Sequence, residues 1–174
     1  MAASRHGLLR RQSDLTRALF EHHPERLEPE DLLREPVPRC WTVRPAAGGG
    51  WVPDWAETEP DPVPVPTIAW LSRHIGWWWG TAADHARGRA PRARTGVAWP
   101  GGEAADRWLR ELRADWLEAL EGLGGDGLDA AAPFPWPDGS GRSVADMAAW
   151  GNAEPMRNAA EIGQLRLLRA AGRA

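Results

Sequence analysis

The stretch Ser143–Arg169, S-V-A-D-M-A-A-W-G-N-A-E-P-M-R-N-A-A-E-I-G-Q-L-R-L-L-R, decides the fold that this sequence predicts. Its first residue, Ser143, is followed three positions later by Asp146, which is a capping-box-like helix start with Asp in place of the usual Glu. At about 100° per residue, large apolar side chains fall on one face of this helix and are expected to point into a core. These side chains are Met147, Trp150, Leu165 and Leu168. The stretch therefore predicts a long helix that packs against others.

Three polar residues, Glu154, Asn158 and Glu161, lie in the middle of that apolar face. Polar groups that leave water need partners, so the helix must supply them with a ligand or with each other. Two interpretations stay open: a functional site, or a network in which Arg157 pairs with Glu154 or Glu161. Pro155 removes a backbone hydrogen bond and is expected to kink the helix beside Glu154.

Three further segments have helical periodicity, at about 5–22, 67–87 and 102–123. The first carries Leu8, Leu15 and Leu19 at helical spacing and ends at Pro24. The third carries a regular apolar stripe: Ala105, Trp108, Leu109, Leu112, Trp116, Ala119, Leu120 and Leu123. A short helix is expected to begin with Pro29 at its first position. Four amphipathic helices without clear strand alternation predict an all-α four-helix bundle in a single domain, 1–174.

The connection between the first two long helices, residues 36–66, is rich in proline and glycine. It holds eight prolines and the run Gly48-Gly49-Gly50, so neither a helix nor a central strand is compatible with it. Three tryptophans, Trp41, Trp51 and Trp55, argue against disorder. We therefore expect a long crossover that packs over the end of the bundle as a lid or wall.

The composition excludes several classes of function. The net charge is −3 and the arginines are scattered among acids, unlike the clustered basic surface of a nucleic-acid binder. No window of about 20 apolar residues exists, so no membrane span is expected. The amino terminus lacks the apolar core of a signal peptide, so a cytoplasmic protein is expected. One cysteine, Cys40, excludes an internal disulfide framework.

Tryptophan is unusually common, with 12 residues against two phenylalanines and no tyrosine. Indoles fill large volumes, and each buried N–H needs a partner. Packing of the core and the loops explains such a composition, and so does a ligand pocket lined by aromatic side chains. Trp77, Trp78 and Trp150 are the candidates for lining this pocket.

The second long helix places His74 on the same face as Trp70, Trp77 and Trp78, so its imidazole is expected to point inward. It is either a hydrogen-bonded core histidine or a ligand or base. Two other histidines, His22 and His23, are adjacent in sequence and point about 100° apart, so one metal cannot bind both within a regular helix. We interpret this pair as structural, with a ligand role as the alternative.

Three segments resemble the DinB-like superfamily and, within it, actinobacterial proteins grouped with mycothiol-dependent transferases. They are E-P-V-P-R-C-W-T-V-R-P (35–45), D-P-V-P-V-P-T-I-A-W-L-S-R-H-I-G (61–76) and W-G-N-A-E-P-M-R-N-A-A-E-I-G-Q-L-R-L-L-R (150–169). The resemblance implies a four-helix bundle with a long first crossover, often as a homodimer. It also implies a divalent ion, held by a histidine of the second helix and an H-x-x-x-H pair of the fourth, that activates a low-molecular-weight thiol.

The metal ligands of the family carry over only in part. His74 matches the second-helix histidine, whereas the fourth-helix pair falls on Glu154 and Asn158. Arg157 stands where a further histidine often occurs. Because Asn is a poor ligand for zinc and better suited to magnesium or manganese, such a site is weaker than one with three imidazoles.

Three hypotheses follow, and the first two invoke a small-molecule ligand. The first is a thiol-dependent transferase or detoxification enzyme with His74, Glu154 and Asn158 around Mn, Zn, Ni or Mg. The second is a metal-free protein whose Trp-lined cavity binds a small molecule, with Arg157 and Glu161 as the candidate orienting or catalytic groups. The third is a structural or dimerising bundle whose polar residues satisfy each other.

Overall fold

The computed structural model describes residues 4–22 and 27–172, in which four long helices form a bundle. The helices in chain order are α1 (Arg5–Glu21), α2 (Pro29–Leu32), α3 (Ile68–Ala86), α4 (Gly102–Glu121), α5 (Gly125–Asp129) and α6 (Val144–Ala171). The long ones are α1, α3, α4 and α6, and α3 packs against both α4 and α6. The predicted all-α bundle with a long crossover between its first two long helices is therefore confirmed.

The central position of α3 follows from its sequence. Nearly every residue from Ile68 to Asp84 is buried, because the segment is apolar or small on all sides apart from a few polar groups. Thr67 caps the helix, with its side chain accepting a hydrogen bond from the Trp70 amide at 3.3 Å. A helix buried all round brings any polar residue that it carries into the interior, and His74 is one of these.

The crossover contains two pairs of short strands that the sequence did not predict. The strands are β1 (Cys40–Trp41), β2 (Val43–Pro45), β3 (Trp51–Pro53) and β4 (Val65–Pro66). β1 pairs with β4 in parallel, and β2 pairs with β3 as an antiparallel hairpin. Gly49 and Gly50 take positive φ values in the hairpin turn, a conformation that glycine adopts without strain. Strands of two or three residues are too short to show an alternating pattern.

The start of α6 agrees with the prediction. The Ser143 amide donates to an Asp146 carboxylate oxygen at 2.8 Å, and the Asp146 amide donates to the Ser143 hydroxyl at 3.2 Å, so both halves of the capping box are present. The helix continues through Pro155, which is buried.

The predicted core face of α6 is partly wrong. Met147 is buried, but Trp150 and Leu168 are 41% and 58% exposed. The buried residues are mostly small: Val144, Met147, Ala148, Gly151, Asn152, Pro155, Asn158, Ala159, Ile162 and Gly163. Small residues let α6 lie close to both α1 and α3, so the helix is rotated away from the face that its largest side chains indicate.

The predicted core face of α1 is wrong for the same kind of reason. Leu8, Leu15 and Leu19 are all exposed, and the buried side is formed instead by Leu9, Ser13, Thr16 and Phe20. Asn152 of α6 donates to the Leu9 carbonyl at 2.9 Å, and Thr16 donates to the Asn152 carbonyl at 3.3 Å. Hydrogen bonds therefore link α1 to α6 in part of their contact, whereas the sequence pattern indicated packing of leucine side chains. The predicted end of this helix at Pro24, and His23, lie outside the described residues.

The apolar stripe of α4 is confirmed, since its members are buried or packed against the core. Arg113 lies among the charged residues of α4, yet it is buried and forms an ion pair with Asp14 of α1. Within residues 4–22 and 27–172, none of the helices combines the length and apolar character needed to span a membrane.

Candidate functional site

A cavity of about 360 Å³ lies between the crossover, α3 and α6. The crossover forms one wall of it, as the sequence predicted. Its lining includes side chains from four segments of the chain. They are Trp41 and Trp55 from the crossover, Trp70 and His74 from α3, Arg94 from the 3-10 turn Arg94–Gly96, and Arg157 and Glu161 from α6. The structure thus brings together three of the sequence candidates, His74, Arg157 and Glu161.

The aromatic groups beside this cavity form a row of ring contacts whose two ends are joined by Arg94. Each neighbouring pair is in contact, with ring centroids 4.9–6.4 Å apart for Trp55–Trp41, Trp41–Trp70, Trp70–His74 and His74–Trp77. The guanidinium of Arg94 contacts both ends of this row, at 4.1 Å from the ring centroid of Trp55 and 4.3 Å from that of Trp77. Stacking and cation–π contacts on both sides hold Arg94 in a fixed position.

The imidazole of His74 is neutral in the folded protein. Burial, together with the positive charges of Arg94, Arg157 and Arg73, lowers its pKa to about 3. The indole N–H of Trp78 donates to Nε2 of His74 at 3.0 Å. The other ring nitrogen, Nδ1, is buried and has no hydrogen-bond partner in the described part of the chain.

Two of the three arginines near His74 carry no carboxylate partner. Across the described residues Arg94 makes no ion pair, and burial lowers its pKa. Arg73 is 1% exposed and donates from Nε to the Val97 carbonyl at 2.9 Å, while its Nη2 has no partner and burial lowers its pKa to about 10. Unpaired cations beside a cavity favour an anion close to them, although Glu57, Glu59 and Glu161 also line this cavity.

The third arginine, Arg157, forms ion pairs with carboxylates. Its Nη2 donates to Glu154 at 3.0 Å, and its Nε lies 4.0 Å from a carboxylate oxygen of Glu161. The Arg157–glutamate pairing that the sequence allowed is thus present. Burial is the main cause that raises the pKa of Glu161, and Arg157 opposes it. Glu154 and Glu161 are only half-buried and lie at the border of the core face, not in its middle.

The residues of the predicted metal site are a poor donor set for a divalent cation. Glu154 is engaged by Arg157, and neither Glu154 nor Asn158 lines the cavity. Asn158 is fully buried, and both of its amide atoms lack partners among the described residues. No group of three or more His, Cys, Asp or Glu side chains is placed to hold a metal in residues 4–22 and 27–172. The site formed by His74, Glu154 and Asn158 stays a prediction.

The three tryptophans proposed for ligand contact occupy different places. Trp77 and Trp78 are buried and both contact His74, whereas Trp150 is half-exposed and contacts Trp78 and Trp136. None of the three lines the cavity, and their role in binding a cofactor stays a prediction. The sequence did not single out Arg94, although it lies in the arginine-rich loop before α4. Helical periodicity gives no direction for a side chain in such a loop.

The comparisons with known proteins agree with the fold. No curated protein and no solved structure matches the chain significantly. A family profile described as the DinB superfamily matches residues 12–162, which include most of every long helix and the whole crossover. Because this match covers far more than half of the 174 residues, the chain belongs to the DinB superfamily.

Proposed function

We propose that this DinB-superfamily protein binds a small organic anion in the aromatic cavity, without a metal. The observation that supports the proposal is Arg94, a half-buried guanidinium that lines the cavity between Trp55 and Trp77 and has no carboxylate partner among the described residues. A cation that leaves water is costly unless a counter-charge compensates it. A bound anion supplies this counter-charge.

The shape and lining of the cavity restrict the ligand further. A volume of about 360 Å³ is within the range of small-molecule sites. The indoles of Trp41, Trp55 and Trp70 line the cavity with apolar ring atoms, so the ligand is expected to have a flat or apolar body. A carboxylate accepts two parallel hydrogen bonds from a guanidinium, which makes it the best-fitting anionic group for Arg94. Arg157 and Glu161 then orient the polar end of the ligand.

A thiol-dependent transferase of the mycothiol type is the second candidate, because the sequence resemblance implies it. The specific observation in its favour is the positive surroundings of His74, since nearby cations stabilise a thiolate and lower the pKa of a thiol. Arg157 and Glu161 are then the candidate catalytic groups. The cytoplasmic location and the homodimer expected from the sequence stay predictions.

Binding of small carboxylates tests the proposal. Isothermal titration with benzoate, phenylacetate and hexanoate is expected to show binding, and their neutral amides are expected to bind much more weakly. Arg94→Gln removes a charge-assisted hydrogen bond and should weaken carboxylate binding by about tenfold to a hundredfold. Arg107→Gln is the matched control, because it removes the same charge from an exposed position of α4.

Two results would contradict the proposal. One is equal binding of each carboxylate and its amide, or an Arg94→Gln variant that binds like the original chain. The other is a thiol-transfer activity that depends on added Mn, Zn, Ni or Mg, which would favour the metal-containing transferase. A metal-independent transfer of a thiol that Arg157→Gln abolishes would identify the second candidate.

A further inference from the structure

We propose that Trp78 fixes the tautomer of His74, so that this histidine is a hydrogen-bond donor and a poor metal ligand. The two residues are four apart on α3, which places one side chain above the other on the same face. Their rings meet edge to face, with centroids 6.2 Å apart and an interplanar angle of 89°. This geometry directs the indole N–H at the edge of the imidazole.

The direction of the hydrogen bond decides the tautomer. Indole Nε1 carries a hydrogen and can only donate, so Nε2 of His74 must accept and carry no hydrogen. In a neutral imidazole the remaining hydrogen is then on Nδ1. Nδ1–H is therefore a donor, and it has no acceptor among the residues that the structure describes.

Both ring nitrogens are thereby withheld from a metal. The lone pair of Nε2 is engaged by Trp78, and Nδ1 carries the hydrogen. Coordination through Nδ1 requires the opposite tautomer, which places the Nε2–H of His74 against the Nε1–H of Trp78. Two buried donors would then face each other, which weakens coordination by about tenfold to a hundredfold through the lost hydrogen bond.

The positive charges around His74 also disfavour a bound metal cation. Arg94, Arg157 and Arg73 all oppose positive charge at this imidazole. A donor among cations suits the acceptor atom of an anion, as in the ligand class proposed above. The tautomer itself depends only on the contact with Trp78, so it can be tested without any ligand.

Nuclear magnetic resonance of the ¹⁵N-labelled chain of residues 1–174 tests the proposal. Long-range ¹H–¹⁵N correlation distinguishes protonated from unprotonated ring nitrogens, and loss of signals in His74→Gln assigns those of His74. The expected result is a protonated Nδ1 and an unprotonated Nε2. In Trp78→Phe the Nε2–H tautomer should become populated, since its opposing donor is gone.

Trp77→Phe is the matched control. The ring of Trp77 also contacts His74, at 5.7 Å between centroids, but its N–H makes no hydrogen bond to a described residue. This variant removes an indole beside the same imidazole and should leave the tautomer unchanged. A general loosening of the core would instead change it in both variants.

Added Zn²⁺ gives a second readout. The His74 signals of the unsubstituted chain should not move with Zn²⁺. An Nε2–H tautomer in the unsubstituted chain, Zn²⁺-dependent shifts there, or a Trp78→Phe variant that keeps the original tautomer would each overturn the proposal. If Trp78→Phe does not fold, the tautomer and the Zn²⁺ response of the unsubstituted chain decide. Failure of carboxylate binding would leave these results unaffected, so the two proposals fail separately.

Discussion

Gly76→Ala is expected to destabilise the bundle, although alanine is the better helix former. A Cβ at position 76 of α3 would overlap the six-membered ring of Trp108 on α4. Replacing glycine by alanine within a helix gains about 1 kcal/mol from helix propensity. Overpacking of a close contact costs about 1–3 kcal/mol or more, and here the obstacle is an aromatic ring at the contact between two long helices. The overlap therefore outweighs the propensity, and chemical denaturation should show a lower free energy of unfolding.

Gly151→Ala is the matched control for this prediction. Gly151 also lies within a long helix, α6, but apart from the backbone of α6 itself a Cβ there would meet no heavy atom of the described residues within 4 Å. This substitution keeps the propensity gain without the overlap, so it should raise the free energy of unfolding by up to about 1 kcal/mol. Trp108→Ala removes the obstacle, and in that background Gly76→Ala should cost less than it does alone. Equal costs in both backgrounds would show that Trp108 is not the obstacle.

The positions of the four long helices were predictable from the sequence because their signals are local. Thr67 and Ser143 cap the helices that follow them, and proline and glycine mark the segments between helices. The crossover was predicted as an ordered wall because of its tryptophans. Its strands were missed because two or three residues carry no periodic pattern.

The orientation of α1 and α6 could not be predicted in the same way. A periodicity argument assigns the largest apolar side chains to the core, and this is right for α4. In α6 the close approach of two neighbouring helices depends on small residues such as Ala148 and Ala159, and Trp150 is left half-exposed. Which side of a helix meets its neighbours is a tertiary property, and α1 shows it again with its exposed Leu15.

In the candidate site, too, contacts within one helix could be predicted from the sequence, and contacts between distant segments could not. The proximity of His74 to Trp77 and Trp78 follows from spacings of three and four residues on one helix, and the sequence predicted it. The pairing of Arg157 with Glu154 follows from the same local geometry. Arg94 comes from the loop between α3 and α4, and its contact with Trp55 joins residues 39 positions apart. No short-range pattern contains such a contact.

His74 is expected to make the protein sensitive to mild acid. The pKa of this imidazole is about 3 in the folded protein and 6.5 in an unperturbed histidine, so between these values the unfolded chain binds the additional proton. Stability must then fall as the pH falls, by about 1.4 kcal/mol per pH unit at most. Above pH 6.5 both states are neutral at this position, and the contribution is constant.

His74→Gln isolates this contribution, because the glutamine amide oxygen can accept the hydrogen bond of Trp78 and the side chain does not titrate. Other groups also titrate in acid: Arg92 lowers the pKa of Asp84, and burial raises the pKa of Glu161. Both groups remain in the variant, so the difference between the two unfolding curves reports mainly on His74. Denaturation at a series of pH values should show that the free energy of unfolding of the unsubstituted chain falls more steeply between pH 6.5 and 3 than that of the variant. Parallel curves would mean that protonation of His74 costs the folded state little. The imidazole would then be more accessible to water, and less affected by the charges of the neighbouring arginines, than its burial indicates.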